Sequence, residues 1–498
     1  MALPVGTVLG GLSAIMLITA VLAGLLELTG HIVEAERTGT YALLGAATIT
    51  GLVAGVAWRV GKSQPARRSL TRRDAALAVT LIWFGTGVFG AVPFLLGAPL
   101  SPTDAFFESV SGITTTGGTI LVDIEATMSR PLLLWRSVLQ WVGAMGIVVL
   151  FVAVFPNLGV SGRHMFRNEV PGPTQEGLQP RITETAFALW AIYAIFTAVM
   201  VVVFLALGAL TAKPDAPVMD LFQSICHALT TTATGGFSPM NDSIGAFQSR
   251  PIELAAATAM LLSGVNYALY YSVWVRGTLK GFLRSTELKA YVLIVVTSVL
   301  LLTMGLLDRF ESDPLTALHV GYFTTATFIT STGYGIDTYM AYPSWSVLII
   351  LLLMFVGGMT GSTAGGIKVS RIVLLLRSVS VQVRRSVRPS VVEVVRMGRQ
   401  SVPQAVLTEV ATFFFAYVAF LTLGTLTLSL LDATELPRAF GAMVSALSNM
   451  GPSPFHGGDD NFASWTDASK TLLAAAMILG RLEFFTVLAL LLPDFWRR

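Results

Sequence analysis

Four times along this chain, a segment too short to cross a bilayer stands between two long apolar runs and turns at a Thr-Gly or Met-Gly step. A hydrocarbon core of about 30 Å requires about 20 apolar residues of helix, so a segment of roughly 10 to 15 residues can only enter and turn back. Backbone that turns at membrane depth is tolerated only where it is buried in protein or lines a water-filled cavity. Four re-entrant segments in one chain therefore predict helices arranged around a central aqueous path.

Composition agrees with the bilayer as main solvent. Of 498 residues, 54% are hydrophobic and 12% charged, against about 25% charged in ordinary globular chains. No soluble domain is left over. The first apolar run, residues 5–28, has no Lys or Arg before it and no small-residue cleavage motif, so it reads as a retained span. The lone Cys226 excludes an internal disulfide framework, and five scattered histidines offer no metal-ligand spacing. No phosphate-cradling loop and no Ser/His/Asp set is present, so a non-enzymatic role without a covalently bound cofactor is expected.

Charge placement sets the orientation. Of 32 Lys and Arg, 23 fall in five blocks, at residues 59–73, 163–181, 276–289, 368–399 and the final pair Arg497 and Arg498. The loops between carry acids: Asp104, Glu108, Asp123 and Glu125; Asp220 and Asp242; Asp308, Glu311, Asp313 and Asp337; Asp432, Glu435, Asp459 and Asp460. Basic residues are held on the cytoplasmic side of membrane proteins, which puts the blocks and both termini inside and the acidic loops outside. Each block is tethered to a span, which suits contact with anionic lipid and disfavours nucleic acid.

The expected fold is an all-α membrane protein of two N-terminal transmembrane helices followed by four pseudo-symmetric helix–pore loop–helix units around one central pore. The two extra helices occupy residues 1–62, with spans near 5–29 and 40–60. The units cover 70–160, 182–280, 286–380 and 402–498, with half-length segments at 104–114, 218–230, 315–329 and 437–447. The step glycines are read as Gly117, Gly235, Gly333 and Gly451, separated by 118, 98 and 118 residues. That regularity suggests fourfold pseudo-symmetry about the membrane normal.

The candidate pathway residues are Thr115, Thr116 and Gly117; Ala233, Thr234 and Gly235; Ser331, Thr332 and Gly333; and Asn449, Met450 and Gly451. A dehydrated cation needs a cage of oxygens, which stacked backbone carbonyls supply where glycine lets successive peptides turn the same way. Each half-length helix would aim its negative C-terminal end at the centre. Most membrane glycines serve helix packing, but four Gly steps at matching positions in four units point to a filter. The third loop, Thr330-Ser331-Thr332-Gly333-Tyr334-Gly335, differs little from the potassium-channel pattern Thr-Val-Gly-Tyr-Gly, whereas Met450 and Pro452 make the fourth loop the most divergent.

Over nearly its whole length the chain resembles the Trk/Ktr/HKT superfamily of potassium transporters, which look like four fused potassium-channel subunits. The two extra helices make it most similar to the Trk potassium-uptake membrane subunit (TrkH type). In that family glycine at the first-loop step goes with potassium and serine with sodium, so the resemblance implies K+ as the transported ion. It further implies a bacterial inner-membrane location, a homodimeric membrane part and a cytosolic ring of nucleotide-binding regulatory subunits (TrkA type). The basic segment 371–399 is expected to contribute to that contact.

Two features point to regulation. A straight helix over residues 343–378 would exceed 50 Å at about 1.5 Å per residue, yet residues 357–366 hold five glycines, Gly357, Gly358, Gly361, Gly365 and Gly366, with Ser362 and Thr363 among them. Each glycine costs up to about 1 kcal/mol of helix propensity, although Gly357, Gly361 and Gly365 also satisfy a small-residue packing spacing. The reading preferred is a broken helix with an intramembrane loop, and the resemblance implies that the loop gates the pore. Arg481 lies mid-way along a final span at 468–492, too far from either end to snorkel, so it is expected to face a watery cavity or a partner, with a structural salt bridge as the alternative. Glu483 is a poor partner, being two residues away. The family's matching arginine implies a fixed charge below the filter. A sodium- or proton-coupled symporter is the competing function, and it would need mid-membrane carboxylates.

Overall fold

The computed structural model describes residues 2–33, 36–63, 72–154, 182–277, 279–388, 394–398, 400–455, 461–482 and 484–497. The basic block at 163–181, Arg67 and Arg68, the acids Asp459 and Asp460, and Glu483 lie outside the described residues. Among those described, six helices are long and apolar enough to cross a membrane, or seven if a bent pair counts as one span. Two short strands, Arg396–Met397 and Gln400–Ser401, pair in a hairpin beside the otherwise helical architecture.

Helices Ala2–Leu28 and Arg37–Ser63 pack along one another and against unit one. In unit one the outer helix Arg72–Gly90 continues past Ala91 as Val92–Gly97, followed by the pore helix Pro102–Ile113 and the inner helix Arg130–Val154. Unit two repeats this with Ile182–Thr211, pore helix Leu221–Ala233, and an inner helix in two pieces, Arg250–Ser263 and Tyr267–Arg276. Unit three has Thr286–Leu306, pore helix Pro314–Ile329, then Ser344–Val356 and Val369–Val387. Unit four has Gln404–Asp432, pore helix Leu436–Ser448, then Asp467–Leu482 and Phe484–Leu491.

The pore helices start where local chemistry starts them. Ser101 Oγ accepts the Asp104 N–H at 3.1 Å, Asp220 Oδ1 the Gln223 N–H at 2.8 Å, and Asp313 Oδ1 the Leu315 N–H at 3.0 Å. These side chains satisfy donors that the first helical turn leaves orphaned. Proline stands in the first turn of the first, third and fourth pore helices, where its missing N–H costs nothing. At 12, 13, 16 and 13 residues these helices reach only part-way through a bilayer.

The inner helices are interrupted more often than the sequence suggests. A break was expected in unit three alone, but the inner helix of unit two bends by 86° between Ser263 and Tyr267, and that of unit one turns out of helical conformation at Gly146, φ 67°. In unit two Asn266 restarts the helix, its Oδ1 accepting the Ala268 N–H at 2.8 Å. The backbone groups freed by the bend are taken by the interrupted segment of unit three: Met359 N–H donates to Gly264 O at 2.9 Å and Tyr267 N–H to Gly361 O at 3.0 Å. A break at membrane depth persists because a neighbouring segment satisfies its polar groups.

The acids also divide differently. Glu108, read above as an outer-loop acid, is wholly buried within the first pore helix and paired with Arg136. Asp123 does lie in an exposed loop, where Asn241 Nδ2 donates to its Oδ1 at 3.0 Å and holds its carboxyl below the usual range. That link between the outer loops of units one and two is fully present above the ordinary carboxylate value of 3.8 and is lost as pH falls through the lower folded value.

Candidate ion pathway

All four pore helices end in the same way. One or two positions past the helix a residue adopts the left-handed conformation: Thr115 at φ 56°, Thr234 at 51°, Ser331 at 50° and Asn449 at 52°. The N–H of the following residue, 116, 235, 332 or 450, donates to the carbonyl five residues back, at 2.9 Å in every case. This is the Schellman ending, in which glycine ordinarily holds the left-handed position. Non-glycine residues there cost about 1–3 kcal/mol each, strain that persists only where surrounding structure imposes it.

A second left-handed residue follows two positions later and is glycine each time: Gly117 (φ 81°), Gly236 (79°), Gly333 (85°) and Gly451 (96°). These four form a closed ring. A Cβ on Gly117 would stand 2.1 Å from Gly235 O, one on Gly236 1.8 Å from Thr332 O, one on Gly333 2.4 Å from Met450 O, and one on Gly451 2.7 Å from Thr116 O. Each loop therefore touches the next in cyclic order, as fourfold pseudo-symmetry requires.

The second loop corrects the expected register. Gly235 takes the place of Thr116, Thr332 and Met450, and the equivalent of Gly117 is Gly236, one residue later than the Thr-Gly step suggests. The physical reason lies in the pore helix, which runs through Ala233, so the left-handed position falls on Thr234. Ala233, expected among the pathway residues, is instead the last helical residue and is buried.

Hydroxyls and amides brace the loops. Thr114 Oγ1 and Thr116 Oγ1 lie 2.7 Å apart, as do Thr330 Oγ1 and Thr332 Oγ1. Gln140 brackets the second loop, donating to Gly235 O at 2.6 Å and accepting the Phe237 N–H at 3.0 Å. The Tyr334 hydroxyl of loop three bonds the second pore helix through Thr230 and Thr231. At the inner end two buried oxygens, Thr115 Oγ1 and Asn449 Oδ1, have no hydrogen-bond partner among the described residues, the kind of polar atom that a water or cation in a pathway satisfies. Uncharged carbonyl and hydroxyl oxygens suit a monovalent cation.

Residues 357–368 leave the helix and lie directly under the ring. Gly366 N–H donates to Ser448 O at 3.1 Å, Gly365 N–H to Ser331 Oγ, and Thr234 Oγ1 to Thr363 Oγ1 at 3.0 Å. The glycines are demanded by closeness. A Cβ on Gly365 would fall 2.2 Å from Ser448 O, and one on Gly357 2.2 Å from Gly365 O. Gly358 and Gly361 pack beside Ala364 and Asn266, and Ser362 Oγ closes a turn onto Met359 O. Gly365→Ala is expected to force this segment off the fourth loop and raise basal cation flux, measured as rubidium uptake into proteoliposomes; unchanged uptake would show that the segment does not obstruct the path.

Arg481 lies on helix Asp467–Leu482. Its guanidinium donates to Thr363 O at 3.0 Å, Gly143 O at 3.2 Å and Ala144 O at 3.1 Å. The expected partner is thus a set of backbone carbonyls, tying the unit-three segment to the inner helix of unit one.

Sequence reasoning missed Gln140, and it missed the buried pair Glu108 and Arg136. The available signal was a lone arginine in the apolar run 132–142, since an ionisable residue inside a span marks a working site.

The TrkH family model, described as a cation transport protein, matches residues 57–496. The Trk system potassium uptake protein TrkH of Halomonas elongata is 36% identical over 436 residues, 87% of this chain and 88% of that protein. TrkH of Escherichia coli (strain K12) is 37% identical over 432 residues, 86% and 87% of the two chains. The crystal structure of the potassium transporter TrkH from Vibrio parahaemolyticus superposes with a TM-score of 0.85 at 32% identity, covering 100% of this chain and 99% of that one. With the match spanning most of its length and the fold shared, this chain belongs to the TrkH family of cation transport proteins.

Proposed function

We propose that this protein carries potassium into the cell across the bacterial cytoplasmic membrane, passively and under the control of a gate, through a filter of backbone oxygens from four loops. The observation that carries this reading is the cyclic ring in which Gly117, Gly236, Gly333 and Gly451 each abut the carbonyl of the next loop. Four converging carbonyls replace a hydration shell, and the pore-helix C-termini add negative potential at the same place. Glycine at Gly117 and the potassium-uptake relatives favour potassium as substrate. The filter residues are then Thr115, Thr116 and Gly117; Thr234, Gly235 and Gly236; Ser331, Thr332 and Gly333; and Asn449, Met450 and Gly451. Residues 357–366 serve as the gate and Arg481 as its anchor and pore charge.

The relatives' names, which place them in a Trk system, support a partner of the cytosolic nucleotide-binding type (TrkA type), and the membrane part is proposed to be a homodimer. Helix Val369–Val387, which carries Arg371, Arg377, Arg384 and Arg385 and follows the gate directly, transmits the state of that partner. A coupled symport reading has one group in its favour, Glu287, whose Oε1 accepts the Thr360 N–H at 2.7 Å within the gate segment and the Ser370 N–H at 3.2 Å in the helix that follows it. Both readings meet in one experiment on the purified protein in planar bilayers. A reversal potential following the potassium gradient, indifferent to sodium and proton gradients, is the expected result; uptake that requires either gradient would replace the channel-like reading with symport.

A further inference from the structure

The pair Glu108 and Arg136 has no part in the function described so far, although both side chains are buried within the protein, at 0% and 1% exposure. Two charges withdrawn from solvent are costly, and their mutual attraction offsets that cost only with good geometry and further hydrogen bonds. The geometry here is good: Arg136 Nε and Nη2 both lie 2.7 Å from Glu108 Oε1. A buried pair adds little net stability over a well-packed apolar one, so its value lies in what it positions.

What it positions is the outer half of the filter. Glu108 accepts the Thr119 hydroxyl at 3.0 Å and the Ile120 N–H at 3.2 Å, both in loop one just beyond Gly117. Arg136 donates to Ser238 O at 3.1 Å, just beyond Gly236 in loop two, and its guanidinium covers the Phe237 ring at 3.9 Å. One helical turn further on, Gln140 takes the Phe237 N–H and Gly235 O from the same helix face. The ion pair thus joins the first pore helix, the first inner helix and two adjacent filter loops.

The pseudo-symmetry shows that this brace is one-sided. Nine residues before the filter glycines stand Glu108, His227, Thr324 and Ala442. In unit two, His227 Nε2 lies 3.0 Å from Ser238 Oγ, the counterpart of the Glu108 contact with Thr119. In unit three Thr324 makes only a 3.5 Å contact with the Tyr342 hydroxyl, and in unit four Ala442 has nothing to offer. Loops one and two are held by charge and imidazole, and the divergent fourth loop has no such support at this position.

From this geometry we infer that Glu108 and Arg136 are positioning residues for ion discrimination, holding loops one and two at the spacing that favours potassium over sodium. The inference rests on the filter reading above, because discrimination by a carbonyl cage depends on where the carbonyls stand and how freely they move. Reversal potential is the proper readout: it reports only on conducting molecules, so a loss of folded protein does not change it.

The test compares wild type, the double variant Glu108→Gln/Arg136→Gln, and Thr119→Val in bilayers under opposed potassium and sodium gradients. Glutamine in both places removes the charges while retaining hydrogen-bonding shape. Thr119→Val leaves the pair intact and removes the hydroxyl part of its link to loop one, the Ile120 N–H bond to Glu108 remaining. The expected result is a several-fold rise in the sodium-to-potassium permeability ratio for the double variant, with a smaller rise in the same direction for Thr119→Val. If the double variant conducts with the wild-type ratio, the inference is wrong. If the double variant fails to assemble, Thr119→Val decides, and a wild-type ratio there overturns the proposal. A wild-type protein that itself fails to discriminate would sink the filter reading first, which separates the two failures.

Discussion

Gly236→Ala is expected to reduce potassium flux by about tenfold or more, whereas Gly335→Ala leaves it near wild type. At Gly236 two costs coincide. The left-handed backbone, φ 79°, disfavours an L side chain by roughly 1–2 kcal/mol, and the new Cβ would stand 1.8 Å from the Thr332 carbonyl oxygen. That oxygen belongs to backbone braced on both sides, so the conflict moves a filter carbonyl instead of a flexible side-chain tip. About 1.4 kcal/mol lost at the conducting geometry is already tenfold. Gly335 completes the channel-like Thr-X-Gly-Tyr-Gly pattern and looks equally essential in sequence, yet a Cβ there meets nothing within 4 Å and its φ is not positive. Potassium uptake by both variants in proteoliposomes checks the pair. Wild-type uptake by Gly236→Ala, or collapse with Gly335→Ala, would show that the ring of glycines is not the filter.

Arg481→Gln is expected to act in the opposite direction, raising basal potassium flux by roughly tenfold through release of the gate. Its three hydrogen bonds to Thr363 O, Gly143 O and Ala144 O are made by a charged donor. Bonds of that kind contribute about 1.5–3 kcal/mol each. Losing even one shifts a closed-to-open balance by about an order of magnitude. Arg481→Lys is expected to fall between, because a single ammonium cannot span carbonyls on two segments as the guanidinium fork does. Single-channel open probability in bilayers separates the gate effect from simple removal of a repelling charge, which would raise conductance and leave open probability alone. No change in either quantity would remove Arg481 from the mechanism.

Much of the architecture could be read directly from residue patterns. Apolar run length, the five basic blocks and the recurrence of half-length segments led to two extra helices and four units, and to interruption of the third inner helix at its glycine cluster. The acids were less legible. Glu108 and Asp123 look alike in a list of loop carboxylates, but one is sealed against Arg136 and the other faces solvent. The breaks in the other inner helices were also hidden. Gly264 and Asn266 are ordinary helix-ending signals, and what makes them a bend of 86° is that Met359 and Gly361 of a distant segment satisfy the freed backbone. The second-loop register failed for a similar reason: two adjacent glycines, Gly235 and Gly236, offer the same propensity, and only the length of the preceding helix chooses between them.

The sequence by itself determined that this protein lives in the bilayer and that its chain re-enters four times, because these depend on transfer free energies summed along a segment. Only the tertiary structure decided which glycine of each loop touches the next, that Arg481 grips backbone carbonyls instead of a carboxylate, and that Glu108 and Arg136 meet behind the filter. Those outcomes depend on ångström-scale approach between residues about 30 to 340 positions apart in the chain, and local propensity carries no information about such distances.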